Sequence, residues 1–106
     1  MNNISVPELA LWRQNGFHHT LIDVRRAEKR ACDACEISDS QWLNPSDWLE
    51  WKDSIPSDFP VVVYCAHGHE ISQGLTAALR ALRLDARFLD GGIHAWRESG
   101  QNVESF

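Results

Sequence analysis

A chain of 106 residues, 43% hydrophobic and 24% charged, is long enough for one real core and too short for two, so residues 1–106 read as a single domain. The net charge of -5, with no cluster of lysine or arginine, excludes a nucleic-acid surface, and no apolar run approaches the length of a membrane span. Three cysteines, an odd number, suit free or reactive thiols better than a disulfide scaffold. The opening MNNISVPEL lacks the basic and apolar regions of a secretory signal, so a reducing cytoplasm is the expected setting.

Ser5-Val6-Pro7-Glu8 opens a helix. The Ser5 hydroxyl can accept from the Glu8 amide while the Glu8 carboxylate reaches back, and Pro7 fits a first turn that needs no donor. Leu9, Leu11 and Trp12 give this helix an apolar face, and Asn15-Gly16 stops it. Thr20 to Val24 then reads as a strand too apolar to face water on one side. Asp23 and Arg25 stand at its C-terminal end, which in open α/β sheets is the ligand crevice. Asp23 reads as the acid of a salt-bridged turn; the Arg25 guanidinium suits an incoming oxyanion as well as a carboxylate.

Arg26 to Glu36 is charged and reads as helical in its first half. Its Cys32-Asp33-Ala34-Cys35 is a lone C-x-x-C, which supplies two ligands where a structural zinc needs four. The pair is either a redox dithiol or two incidental cysteines. Ile37 to Ser40 makes a turn and Gln41-Trp42-Leu43 a short strand. Asn44-Pro45-Ser46-Asp47 starts a helix carrying Trp48, Leu49 and Trp51 and ended by Ile55-Pro56. Trp42, Trp48 and Trp51 are expected to pack between helix and sheet.

The chain is organised around Val61 to Arg80. Val61 to Tyr64 has the composition of a strand buried on both faces, and Ile71, Leu75, Ala78, Leu79 and Leu82 recur at helical spacing. Cys65 lies between, at a strand end, before a polar loop containing Gly68 and a helix N-terminus. The first amides of a helix have no carbonyl partner within it, and its dipole adds positive charge there. A thiolate is favoured over a thiol in such a cradle and is a nucleophile. The plainer reading is a buried, inert cysteine. His67 and His69 are either solvated loop residues or groups that assist the sulfur. Ala86 to Leu89 reads as a last strand, Asp90-Gly91-Gly92 as a tight turn, and Ile93, Ala95 and Trp96 as a short helix stopped by Gly100. Residues 101–106 carry no signal. Strands alternating with helices specify a parallel sheet covered on both faces.

LIDVR (Leu21 to Arg25), VVVYC with a glycine three residues after the cysteine, and FLDGGIHAWRESG (Phe88 to Gly100) together resemble the rhodanese-like domain family, in order and spacing, over nearly the whole chain. The resemblance implies a three-layer α/β/α fold with a five-stranded parallel sheet, and Cys65 as the nucleophile of a sulfurtransferase. In such enzymes the cysteine takes a sulfane sulfur from thiosulfate or a persulfide and passes it to cyanide, a thiol or a protein acceptor, with no cofactor or metal. The loop Ala66, His67, Gly68, His69, Glu70 and Ile71 is then the persulfide-binding loop, with Asp23 and Arg25 behind it.

This loop departs from the family pattern. Its sulfurtransferases commonly carry arginine where Ala66 stands and arginine or threonine where Glu70 stands. The phosphatase branch needs an arginine where Ile71 stands, so phosphoryl transfer is not expected. Glu70 either brings a carboxylate near the incoming dianion or caps loop amides. ISDS (Ile37 to Ser40) replaces the family's usual isoleucine-proline-glycine-alanine turn. The departures motivate a second reading, a binding or regulatory module without turnover, and the cysteine pair allows a third, a thiol redox sensor in which Cys32 or Cys35 resolves oxidised Cys65.

Overall fold

The structure, a computed structural model, describes residues 2–106. Five strands make one sheet: β1 (Asn3–Ile4), β2 (Thr20–Asp23), β4 (Gln41–Trp42), β5 (Val61–Tyr64) and β6 (Ala86–Leu89). They lie side by side in the order β1-β6-β5-β2-β4, and every pairing is parallel. A separate antiparallel pair joins β3 (Cys35–Glu36) to β7 (Glu104–Ser105). The helices are α1 (Val6–Gln14), α2 (Ala27–Asp33), α3 (Trp48–Trp51), α4 (Glu70–Ala81) and α5 (Gly92–Glu98). No helix among the described residues is long and apolar enough to cross a membrane.

Successive side chains of a strand point to opposite faces, and β5 divides the core accordingly. Val62 and Tyr64 join Ile4, Leu9, Leu21, Leu89 and Trp96 under α1 and α5. Val61, Val63 and Cys65 join Ile22, Val24, Trp51 and Leu79 under α3 and α4. All four β5 residues are buried, as a central strand covered by helices on both faces requires. The result is the three-layer α/β/α arrangement.

The capping box at α1 is complete: the Glu8 amide donates to Ser5 Oγ at 3.2 Å and the Ser5 amide to Glu8 Oε1 at 3.1 Å. The helix expected between Asn44 and Ile55 is instead a 3-10 turn at Pro45–Asp47 followed by the four-residue α3. It stops early because Ser54 folds back on the Trp51 carbonyl with both its amide (3.0 Å) and its hydroxyl (2.7 Å). The buried face of α4 also differs from the apolar spacing. Ser72, Thr76 and Leu79 are buried, Ile71 and Leu75 lie at the rim, and Leu82 is exposed. The sheet-facing side of this helix thus includes two hydroxyls.

A buried charge network fixes α2 to the end of β2. The Arg25 guanidinium donates to Asp23 Oδ1 through Nε at 3.0 Å and to Asp23 Oδ2 through Nη2 at 2.7 Å. It also donates to Asp33 Oδ2 at 3.2 Å and to the Cys35 carbonyl at 2.7 Å. Both Asp23 and Arg25 side chains are fully buried. Burial works against the arginine's charge, but the Asp23 hydrogen bonds and negative charge outweigh it and raise its pKa. Around this pair, Arg30 bonds Asp23 and Glu36 and packs on the rings of Trp42 and Phe106. The Phe106 amide donates to the Ala34 carbonyl at 2.9 Å, tying the tail beneath α2.

The β5–α4 connection is seated on the turn between β6 and α5. Gly92 takes φ +61°, and a Cβ there would lie 2.4 Å from the Cys65 carbonyl oxygen. Gly68 takes φ +73°, and a Cβ on it would meet the Leu89 carbonyl oxygen at 2.7 Å. Only glycine lets the two backbones approach this closely.

Two predictions follow from these contacts. Replacing Arg25 by methionine strands the Asp23 carboxylate in the core, so urea unfolding should show a loss of about 3–5 kcal/mol. Gly92→Ala adds left-handed backbone strain of roughly 1–2 kcal/mol to the clash with Cys65, so stability should fall by at least that amount in the same assay.

Candidate active site

Cys65 follows β5 directly and is 7% exposed. Beyond it the carbonyls of the loop are taken in turn. The Ile93 amide donates to the Cys65 carbonyl and the His94 amide to the Ala66 carbonyl, both at 3.0 Å. Past His67, Gln73 holds two more: its side-chain amide donates to the Gly68 carbonyl at 2.9 Å and its backbone amide to the His69 carbonyl at 3.0 Å.

In a trans peptide the carbonyl and the following N–H point in opposite directions. Drawing the Cys65 and Ala66 carbonyls toward α5 therefore turns the amides of Ala66 and His67 away from it. Engaging the Gly68 and His69 carbonyls turns the amides of His69 and Glu70 away from Gln73. Among the described residues, no amide of residues 66–71 donates a hydrogen bond to the protein. A run of free donors on the loop that follows the cysteine is an arrangement that can receive an anion.

A cavity of about 410 Å³ opens here. On the loop side it is lined by Cys65, Ala66, His67, His69, Glu70 and Ile71, and on the α2 side by Arg25, Arg26 and Lys29. The expected loop residues thus come together, except that Gly68 is buried against the β6–α5 turn and shapes the loop from behind. The Arg25 guanidinium spends four of its five N–H groups on Asp23, Asp33 and the Cys35 carbonyl and its charge is paired with the buried Asp23, so this pair lines the cavity without supplying net charge to it. Glu70 is exposed at the first turn of α4, and its carboxylate caps no loop amide. His67 and His69 are exposed, with the His67 ring 4.9 Å from His94 and 6.2 Å from His69. Among the described residues no three His, Cys, Asp or Glu side chains are arranged to hold a metal.

Three residues at the site were not expected from the sequence. Arg26, at the N-cap of α2, and Lys29 on the helix bring positive charge to a cavity whose own loop holds no lysine or arginine. Arg26 is exposed and makes no ion pair among the described residues, while Lys29 pairs with Asp33 at 3.1 Å. Their three-residue separation on a helix that starts at the crevice end of β2 was the available signal. The third is Ser72, whose Oγ lies 3.2 Å from Cys65 Sγ. Its place in the first turn of the helix after Cys65 pointed there, but a serine on an apolar helix face gives no pattern to read.

The other cysteines are placed apart from Cys65. Cys35 is buried in the core under α1 and α5, on the opposite face of the sheet from the cluster that contains Cys65, and Cys32 is exposed on α2. All three are free thiols.

Comparison with known proteins agrees with this architecture. Solved structures that superpose on the chain include a rhodanese-related protein from Thermoplasma volcanium, 26% identical, with a TM-score of 0.84 and 97% of both chains covered. A rhodanese-like domain protein from Staphylococcus aureus is 25% identical with a TM-score of 0.83, covering 99% of this chain and 100% of that one. Among curated proteins, a probable adenylyltransferase/sulfurtransferase, MoeZ, of Mycobacterium tuberculosis is 30% identical over 103 residues, or 94% of this chain. The match spans only 26% of that relative's length. A profile of the rhodanese-like domain matches residues 5–99, and the chain therefore belongs to the rhodanese-like domain family.

Proposed function

We propose that residues 1–106 act as one rhodanese-like domain that transfers a sulfane sulfur, through a Cys65 persulfide, from an anionic donor to a thiophilic acceptor. The observation that carries this reading is the set of amides at residues 66–71 that have no acceptor in the protein, on the loop that lines one cavity with Cys65. With thiosulfate, the Cys65 thiolate attacks the sulfane sulfur, the Sγ–S bond forms, and sulfite leaves with the electrons of the broken S–S bond. The negative charge now sits on the outer sulfur, where the loop amides hold it without the reorganisation that water would require. An acceptor such as cyanide or a thiolate attacks that outer sulfur, and Sγ departs as thiolate. No metal or cofactor enters either step, and a reducing compartment such as the cytoplasm keeps the thiol available.

Ala66 and Glu70 remove the cations that related loops carry, and Arg26 and Lys29 stand across the cavity as their functional substitute. A point charge at the rim attracts an anionic donor without clamping it as a bidentate arginine on the loop would. Persulfides of low charge are therefore accommodated alongside thiosulfate. The reading of a binding module without turnover stands on the same altered loop, and differs in predicting that no donor loads the cysteine.

Mass spectrometry after incubation with thiosulfate or a low-molecular-weight persulfide should show one added sulfur on Cys65. Cys65→Ser should show none, and substitution of Cys32 or Cys35 should leave loading intact. An unmodified Cys65 with every donor overturns the transferase reading. Arg26→Ala combined with Lys29→Ala should raise KM for thiosulfate about tenfold at low salt, with a smaller effect for a neutral donor. Steady-state assays across ionic strength check this.

A further inference from the structure

Ser72 is fully buried, and one helical turn on so is Thr76, whose Oγ1 has no partner among the described residues. These hydroxyls lie on the face of α4 that otherwise packs Leu79 against Val61, Val63 and Ile22. With Cys65 as a thiol, its S–H donates to Ser72 Oγ at 3.2 Å, and Ser72 donates to the His69 carbonyl at 3.4 Å. That carbonyl already accepts the Gln73 amide at 3.0 Å, so the helix start does not depend on the serine's longer bond.

We propose that Ser72 is a catalytic residue for the sulfur-release step, its hydroxyl turning from the His69 carbonyl to Cys65 Sγ whenever that atom bears charge. The inference rests on the sulfur-transfer reading above. In the loaded enzyme the charge is on the outer sulfur, and Sγ is a neutral divalent sulfur that accepts hydrogen bonds poorly. On release the acceptor thiolate bonds the outer sulfur, the S–S bond breaks, and Sγ takes the bonding pair. Charge returns to the one sulfur that the Ser72 hydroxyl reaches, and hydrogen bonds to charged acceptors are about twice as strong as neutral ones. The same bond makes the free thiolate a better leaving group and a weaker nucleophile. Ser72 therefore helps release and does not help attack, an opposition that a merely structural hydroxyl would not produce.

The test separates the two half-reactions by stopped flow in wild type, Ser72→Ala and Ser72→Thr, with iodoacetamide alkylation of Cys65 followed across pH. Alanine removes one oxygen from a helix and is a favourable helix former, so the variant is expected to fold. Release to cyanide or a thiol should slow about tenfold in Ser72→Ala. Loading at a pH where the thiol is fully ionised should not slow, and the alkylation midpoint should move upward. His67, His69 and Glu70 on the loop and Arg26 and Lys29 on α2 face the same cavity in every variant, so their influence cancels in the difference. Ser72→Thr, which keeps the hydroxyl, should retain the wild-type ratio of release to loading.

Equal slowing of both steps, no slowing of either, an unmoved alkylation midpoint, or a threonine variant with the ratio of the alanine one would each overturn the proposal. If wild type takes sulfur from no donor, the transferase reading falls. The alkylation comparison then still decides whether Ser72 bonds the charged sulfur.

Discussion

Two hydrogen bonds, from the Ile93 and His94 amides to the Cys65 and Ala66 carbonyls, set the direction of the peptides that follow the cysteine. They also use α5's first amides, which would otherwise need a partner of their own. Gly92 and Gly68 are the steric condition for this contact, since any side chain at either would push the two backbones apart. The order of cause runs from two glycines to a close approach, from the approach to carbonyl orientation, and from that to loop amides left without an acceptor in the protein. The loop is thus shaped chiefly by main-chain contacts, and its free amides do not depend on the side chains of Ala66 and Glu70.

Charge is supplied from elsewhere. The Asp23–Arg25 pair is sealed inside the molecule and bonds Asp33, so it holds α2 at the end of β2. Ionic groups buried this completely cost desolvation, and their value here is positional: the helix they anchor presents Arg26 and Lys29 to the cavity. The Asp33 carboxyl, raised by partial burial but lowered further by Lys29 and Arg25, stays below its ordinary pKa and keeps this anchor ionised. Tyr64 completes the support from the other face of the sheet. Its hydroxyl accepts the Ile37 amide at 3.2 Å and lies 2.9 Å from Ser40 Oγ, so the unusual ISDS turn is moored to the strand that carries the cysteine. Burial, and then the Asp23 charge, push its pKa up to about 12.

Much of this was legible in the residues. The run Val61 to Tyr64, the Ser5–Glu8 box and the glycines of the last turn each carry a local physical requirement, and each is met. The alternation of strands and helices specified a parallel sheet, and the run before Cys65 set it at a strand end ahead of a helix. What escaped was of two kinds. Strands of two residues, β1, β3 and β7, are too short for any periodicity; β1 exists because β6 offers a partner, and β3 and β7 because they pair with each other. Side-chain destinations were the other kind. Arg25 could have faced a ligand or a carboxylate, and only the folded positions of Asp23 and Asp33 decide between them. Ser72 and Thr76 interrupt an apolar pattern, and only the location of the sulfur makes their burial intelligible.

The sheet also ends abruptly on both sides. Its outermost strands, β1 and β4, are two residues each, flanking the four-residue strands of the interior. Such borders expose little unpaired backbone, so they give an extended segment of another polypeptide almost nothing to zip onto. The fold is thereby protected from uncontrolled sheet-to-sheet growth by the brevity of its own margins.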